Sequence, residues 1–135
     1  MAIDDGLVMK YLKHNCPFCS KPGIDPLIVG EYCVSALDQF PVSEGHCLVI
    51  PKRHVSSIDD LTDSELKDLY TVLKQTKIML CEVYQPDGFN IGINEGEAAG
   101  QTVEHLHIHI IPRYEGDVVC PRGGVRGVIP GRKEY

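Results

Sequence analysis

The sequence lacks several things, and each absence narrows the reading. No window of its 135 residues reaches about 18 apolar residues, so no segment has the length of a membrane-spanning helix. The N-terminus, "MAIDDGLVMKYLKHNC", carries acidic residues near its start and no apolar core of signal-peptide length, which leads us to expect a soluble, cytoplasmic protein with no membrane partner. Thirteen Lys and Arg form no long basic run and the formal charge is −6, so counterion release gives little drive toward nucleic acid. A small anion held by local groups stays open. There is no tryptophan, no low-complexity tract and no repeat of 20 to 50 residues. Hydrophobic residues make up 43% and charged residues 24%, which excludes disorder over most of the chain. A single domain over residues 1 to 135 follows, with a core at about 15 to 117 and a Gly-rich, locally basic tail at 118 to 135. Cysteine is not scarce: Cys16, Cys19, Cys33, Cys47, Cys81 and Cys120 would suit a secreted disulfide scaffold, but without secretion they read as reduced thiols with at most one metal pair.

The local patterns give an order of elements. Residues 1 to about 13 carry a weak amphipathic helical pattern through Leu7, Met9, Tyr11 and Leu12. "LIVGEYCVSALD" (27 to 38) and "GHCLVIP" (45 to 51) read as two strands. A helix is predicted over about 62 to 84, with Leu66, Leu69, Leu73, Leu80 and Val83 as its apolar positions. Thr62 and Glu65 form a capping box, with Leu61 and Leu66 as the flanking apolar pair. "QPDG" stops it, and "FNIGIN" (89 to 94) and "VEHLHIHIIP" (103 to 112) are predicted strands around the Gly-rich loop "EGEAAGQT". Strands, one long helix, then strands imply an α+β fold, an antiparallel sheet with the helix packed on it.

Chemistry concentrates in "EHLHIHIIPR". On a strand, His105, His107 and His109 share one face and Leu106, Ile108 and Ile110 the other. At about 3.3 Å of rise per residue, His105 and His109 stand roughly 13 Å apart, too far to share one metal with bonds near 2 Å. Some of the three must do other work. Cys16-x-x-Cys19 in "NCPFC" has the spacing for two thiolates of a tetrahedral zinc, with a redox pair as the rival. Two ligands are missing, and His14, His46, His54 and one of the triad are the candidates. The glycines of "EGEAAGQT" permit close approach of backbone N–H groups to a phosphate, and Gln101 and Thr102 add side-chain donors.

These residues resemble a known family. "AGQTVEHLHIHIIPR" is similar to the signature of the histidine-triad superfamily, and the likeness extends to "GHCLVIPKRHVSSI", "GFNIGINEG" and "NCPFC". The resemblance implies a two-layer α+β fold whose sheet continues across a homodimer, with a nucleotide cleft in each subunit. It implies attack on a nucleotide α-phosphorus by the middle histidine, here His107, through a nucleotidyl-histidine intermediate, with His109 donating to an α-phosphate oxygen and His46 in support. It implies one structural zinc per chain, held by Cys16, Cys19, His54 and His105. Asp38 matches a residue that holds ribose hydroxyls, while Asn94, Gln101 and Thr102 match positions near ribose and phosphate; Phe18, Leu37 and Phe40 are candidates for the base pocket.

The implied activity is that of a nucleotide hydrolase or transferase acting on dinucleoside polyphosphates or related nucleoside phosphoesters and phosphoramidates, with a purine nucleotide or dinucleoside polyphosphate as ligand. A nucleotide-binding sensor or interaction module with little turnover is the alternative. The ending "GDVVCPRGGVRGVIPGRKEY" differs from the short tryptophan-bearing end of the phosphoramidase branch, and "GD" after the triad looks closer to the dinucleoside polyphosphate hydrolase branch. Arg113, Arg122 and Arg126 are candidates to meet a polyphosphate, or are solvated tail residues.

Overall fold

The computed structural model describes residues 16–19 and 25–135. The helical pattern expected before residue 14, and His14, lie outside them. Five strands, β1 (Pro26–Val29), β2 (Cys33–Leu37), β3 (Cys47–Pro51), β4 (Gly88–Ile93) and β5 (Ile108–Arg113), form one antiparallel sheet in the order β1-β2-β3-β5-β4. One long helix, α1 (Asp63–Tyr84), packs on one face. This is the α+β architecture expected. No helix among the described residues is long and apolar enough to cross a membrane.

The capping box forms as the sequence predicts: the Thr62 hydroxyl accepts from the Glu65 N–H at 3.1 Å, and the Glu65 carboxylate accepts from the Thr62 N–H at 2.9 Å. Glu65 is buried and also binds Arg53 through two nitrogens, at 2.7 and 3.1 Å, so its carboxyl falls to a pKa of about 2. The apolar face differs from the predicted one. Leu69, Val72, Thr76 and Leu80 are the buried positions, whereas Leu66 and Val83 are 46% and 63% exposed. Leu66 and Val83 fit the leucine spacing, but the sheet beneath the helix selects a face rotated from them. Fully burying Val72 and Leu80 against β2 and β3 contributes about 1.5–3 kcal/mol each.

Two strand predictions are corrected. The segment 27 to 38 is a hairpin, not one strand: Gly30 ends β1, and its N–H donates to the Cys33 carbonyl at 2.7 Å. The Asp68 carboxylate on α1 accepts from the N–H groups of Tyr32 and Cys33, both at 2.8 Å, holding the turn against the helix. A Cβ on Gly30 would stand 2.5 Å from that carboxylate and 2.6 Å from Val72, so glycine is required for this approach. The histidine strand is also shorter than 103 to 112. Its ladder begins at Ile108, which pairs with Val49 on one side and Ile93 on the other. Before that point the backbone turns to other partners, as Leu106 N–H donates to the Val55 carbonyl at 2.6 Å. His105 and Leu106 are consecutive yet both fully buried, which alternation across a strand does not produce.

All five residues of β3 are buried. Its register sets Cys47 and Val49 beside Ile110 and Ile108 toward α1, and Leu48 beside His109 toward the opposite face. The sheet therefore has a helix on one side and a cleft on the other.

Candidate active site and metal centre

A cleft of about 670 Å³ opens on the face away from α1. Ala36, Leu48 and Ile50 are among its lining residues, with His46, His107, His109, Asp38, Asn94, Thr102, Phe18, Leu37 and Phe40 around them. It brings together most of the predicted substrate-side residues. Gln101 is the exception. Its side-chain oxygen accepts from the Gly96 N–H at 2.9 Å, and its nitrogen donates to the carbonyls of Ser56 and Val103 at 3.1 and 3.2 Å. Those bonds close the Gly-rich loop on itself and on residues 53–58, and Gln101 lines a neighbouring depression instead. The loop is tied a second time where Glu95 accepts from the Ile58 N–H at 2.7 Å and the Ser57 hydroxyl at 3.2 Å. The three candidate arginines do not line the cleft either: Arg113, at the end of β5, binds Asp117 and Asn90, and the tail residues Arg122 and Arg126 lie over the Tyr135 ring.

The hydrogen bonds fix each imidazole's tautomer in turn. The Val42 N–H donates to His46 Nδ1 at 3.1 Å, so the proton of neutral His46 sits on Nε2. His46 Nε2 lies 2.9 Å from His109 Nδ1, which must then accept, leaving the His109 proton on Nε2. His107 Nδ1 lies 2.9 Å from the His105 carbonyl; only an N–H can face a carbonyl, so Nε2 of neutral His107 carries the lone pair. Asp38 Oδ2 stands 3.4 Å from His46 Nε2 and 3.9 Å from His109 Nδ1, while Oδ1 accepts from the Phe40 N–H at 2.9 Å. Burial pushes His46 and His109 below the ordinary histidine range; His107 and His46 add to this at His109, and Asp38 opposes it at both. Both rings are held neutral near pH 7.

A second cluster lies behind His107. The Sγ atoms of Cys16 and Cys19 and the Nδ1 atoms of His54 and His105 lie within 4.8 Å of one another. Cys16 and Cys19 are 3.4 and 3.3 Å from His105 Nδ1, Cys19 is 3.0 Å from His54 Nδ1, and the two nitrogens are 3.1 Å apart. Zinc bonds of about 2.0–2.3 Å at tetrahedral angles put ligand atoms about 3.3–3.8 Å apart, close to these separations. The chemistry of the donors agrees. His105 Nε2 meets the Pro51 carbonyl at 2.8 Å, which assigns its proton there and turns the Nδ1 lone pair into the cluster. Burial also lowers the affinity of His105 for a proton. The residues present fit zinc.

Asp38, His46 and His109 also converge within 4.8 Å. There Val42 places the proton on the very nitrogen a metal would need, so this group reads as a hydrogen-bond relay and the Cys/His group is the one that could hold a metal. Cys33 and Cys47 belong to neither: burial raises their thiols to about 12 and about 11, as inert core residues.

Sequence reasoning did not reach Val42, Pro51 and Val55, because each acts through a backbone group that any residue type supplies.

Comparison with known proteins agrees with this fold. The family model of the HIT domain matches residues 26–116. A 16.1 kDa HIT-like protein of Mycoplasma pneumoniae is 40% identical over 106 residues, covering 76% of this chain and 74% of that one. A bis(5′-nucleosyl)-tetraphosphatase (asymmetrical) of Schizosaccharomyces pombe is 48% identical over 77 residues, 57% of this chain and 42% of the relative. Among solved structures, a zinc-bound histidine triad family protein from Mycobacterium smegmatis superposes with a TM-score of 0.70 at 33% identity, covering 80% of this chain and 81% of that one. With a sheet, helix and histidine cleft of this form inside the matched residues, the chain belongs to the histidine-triad (HIT) family.

Proposed function

We propose that the protein is a nucleotide hydrolase or transferase that acts at the α-phosphate of dinucleoside polyphosphates or related nucleoside phosphoesters and phosphoramidates. The observation that carries this reading is the opposite polarity of two neighbouring rings lining one cleft: His107 with its lone pair on Nε2, and His109 with its proton there. A nucleophile beside a hydrogen-bond donor is what displacement at a phosphoryl group requires. The similarity to a tetraphosphatase supports the substrate class.

In the first step the His107 Nε2 lone pair forms a bond to the α-phosphorus as the bond to the leaving group breaks. The leaving phosphate departs with the bonding electrons. The His107 Nδ1–H stays on the His105 carbonyl, so the adduct is a cationic imidazolium and a good leaving group in turn. Water then attacks phosphorus, loses a proton to solvent, and the P–N bond breaks to return neutral His107. Throughout, His109 Nε2–H donates to an α-phosphate oxygen, and the relay from Val42 through His46 keeps that proton in place.

Asp38, Asn94 and Thr102 hold ribose and phosphate in this reading, and the apolar wall takes a purine base with little selectivity. Zinc, one per chain, supplies a fixed structural crosslink when bound by Cys16, Cys19, His54 and His105. A cytoplasmic homodimer completes the proposal, joined where β4, the edge strand that follows α1, leaves backbone groups for a second sheet.

A hydrolysis panel of diadenosine tetraphosphate, adenosine phosphoramidate and a sugar nucleotide tests the activity. We expect turnover of at least one, a nucleotidyl adduct mapped to His107, and loss of both in His107→Ala. Normal turnover in His107→Ala, or an adduct on another residue, removes the mechanism. Micromolar binding with negligible turnover across the panel would favour a nucleotide-binding module.

A further inference from the structure

Besides the His109 ring, which meets it edge-on at 5.1 Å and 67°, His107 is held at two points that belong to the metal-binding segments. On one side its Nδ1–H donates to the carbonyl of His105. On the other, the Phe18 ring meets it in an edge contact, with centroids 5.0 Å apart and planes at 64°. Phe18 stands inside the turn from Cys16 to Cys19, closed by the Cys19 N–H donating to the Cys16 carbonyl at 3.1 Å. The same ring stands edge-on to His105, 5.8 Å away at 87°. One aromatic side chain thus touches a metal-site imidazole and the nucleophile's imidazole together, and the residues two before and one after it are both donors of the metal cluster.

A single hydrogen bond at Nδ1 leaves the His107 ring free to rock about the N–H···O axis, and the ring is only half-buried. Ring edges of His109 and Phe18 both bear on it, and Phe18 is the one that can be exchanged without removing a cleft imidazole. Attack on phosphorus requires the Nε2 lone pair aligned with the bond that breaks, and small misplacement of a reacting group costs as much as about 100-fold in rate.

We infer that Phe18 is a positioning residue: it sets the His107 ring for in-line attack and takes its own position from the metal-holding turn. This rests on the assignment of His107 as the nucleophile. It differs from a base-pocket role, although Phe18 also lines the cleft. A base wall acts on binding and depends on the base. A positioning contact acts on the chemical step, by the same factor for every base.

The test compares wild type, Phe18→Leu and Phe18→Tyr as zinc-loaded proteins. It measures metal content, the single-turnover rate of adduct formation and Kd with adenosine and uridine 5′-phosphorimidazolides, and the His107 ring N–H signals of histidine-labelled protein by NMR. In Phe18→Leu we expect one zinc per chain and adduct formation slowed about 10- to 100-fold, equally for both bases, with Kd within about threefold. The His107 Nδ1–H signal should broaden, and Phe18→Tyr should restore rate and signal. An unchanged rate and signal overturns the inference, as does a loss confined to Kd and the purine, or loss of zinc from Phe18→Leu. If wild-type protein forms no adduct, the functional reading fails separately, and the NMR signals alone decide the role of Phe18: broadening in Phe18→Leu supports it and an unchanged spectrum refutes it.

Discussion

His46→Asn separates the relay from the fold more cleanly than any other substitution. Asn places its side-chain oxygen near the position of the His46 Nδ1, so the Val42 N–H keeps an acceptor while the Nε2–H that points to His109 disappears. The turn after β2 keeps its bond to residue 46, and only the proton order on His109 is released. One neutral hydrogen bond contributes about 0.5–1.5 kcal/mol, which at about 1.4 kcal/mol per decade predicts a kcat about 2- to 12-fold lower. His109→Ala removes the donor itself and should cost about 100- to 1,000-fold, the range for loss of one donor to a developing oxyanion. Without His46, His109 also loses a neighbour that opposes its charge and keeps Asp38, which favours it, so its pKa should rise. Single-turnover adduct formation measures the first effect, and ring-nitrogen NMR of His109 across a pH titration measures the second. A His46→Asn protein as slow as His109→Ala, or one with the wild-type His109 tautomer and pKa, would refute the reasoning from proton order.

Three further predictions concern the frame. Gly30→Ala should destabilise the protein by about 1–3 kcal/mol through its clash with Asp68 and Val72, read as a lower urea midpoint; an unchanged midpoint would show that the hairpin can move off the helix. Glu65→Gln should cost about 1–2 kcal/mol, less than the ~3 implied by a carboxyl held near 2 rather than 4.5, because Arg53 is 52% exposed; wild-type stability from this group is present above the ordinary carboxyl range and declines as pH falls from about 4.5 toward 2, and urea midpoints along that titration would show it. His46 and His109 have lowered folded pKa values, so the unfolded chain takes up protons first as pH falls; their contribution is full above about 6.5 and is lost through their folded pKa values, and a Tm that rose between pH 7 and 5 would contradict the assignment.

The helix was legible because its start is written in side chains: Thr62 and Glu65 form the box that their spacing predicts. Its buried face was not, since Leu66 and Val83 fit the helical period as well as Val72 and Thr76 do, and only the sheet chooses between them. The hairpin at Gly30 was hidden by an apolar run with a single turn residue, and the carboxylate that holds it comes from Asp68, 36 residues after Tyr32. The grouping of Cys16, Cys19, His54 and His105 followed the family likeness, and the geometry joins those four atoms. The division of the triad into one buried ring and two cleft rings follows from where the ladder with β3 stops. Gln101 matched a ligand position by family likeness but spends its amide on the backbone, a distinction that depends on three-dimensional neighbours.

Strand β3 works as a measuring rod. His46 precedes its first residue and the Pro51 carbonyl ends it, so five buried residues fix the distance from the relay's anchor to the acceptor that orients a metal donor. A one-residue insertion there would turn every following side chain to the opposite face and spoil both clusters at once. The loops around the sheet can therefore change in length, while the interval between the His46 relay and the Cys/His cluster cannot.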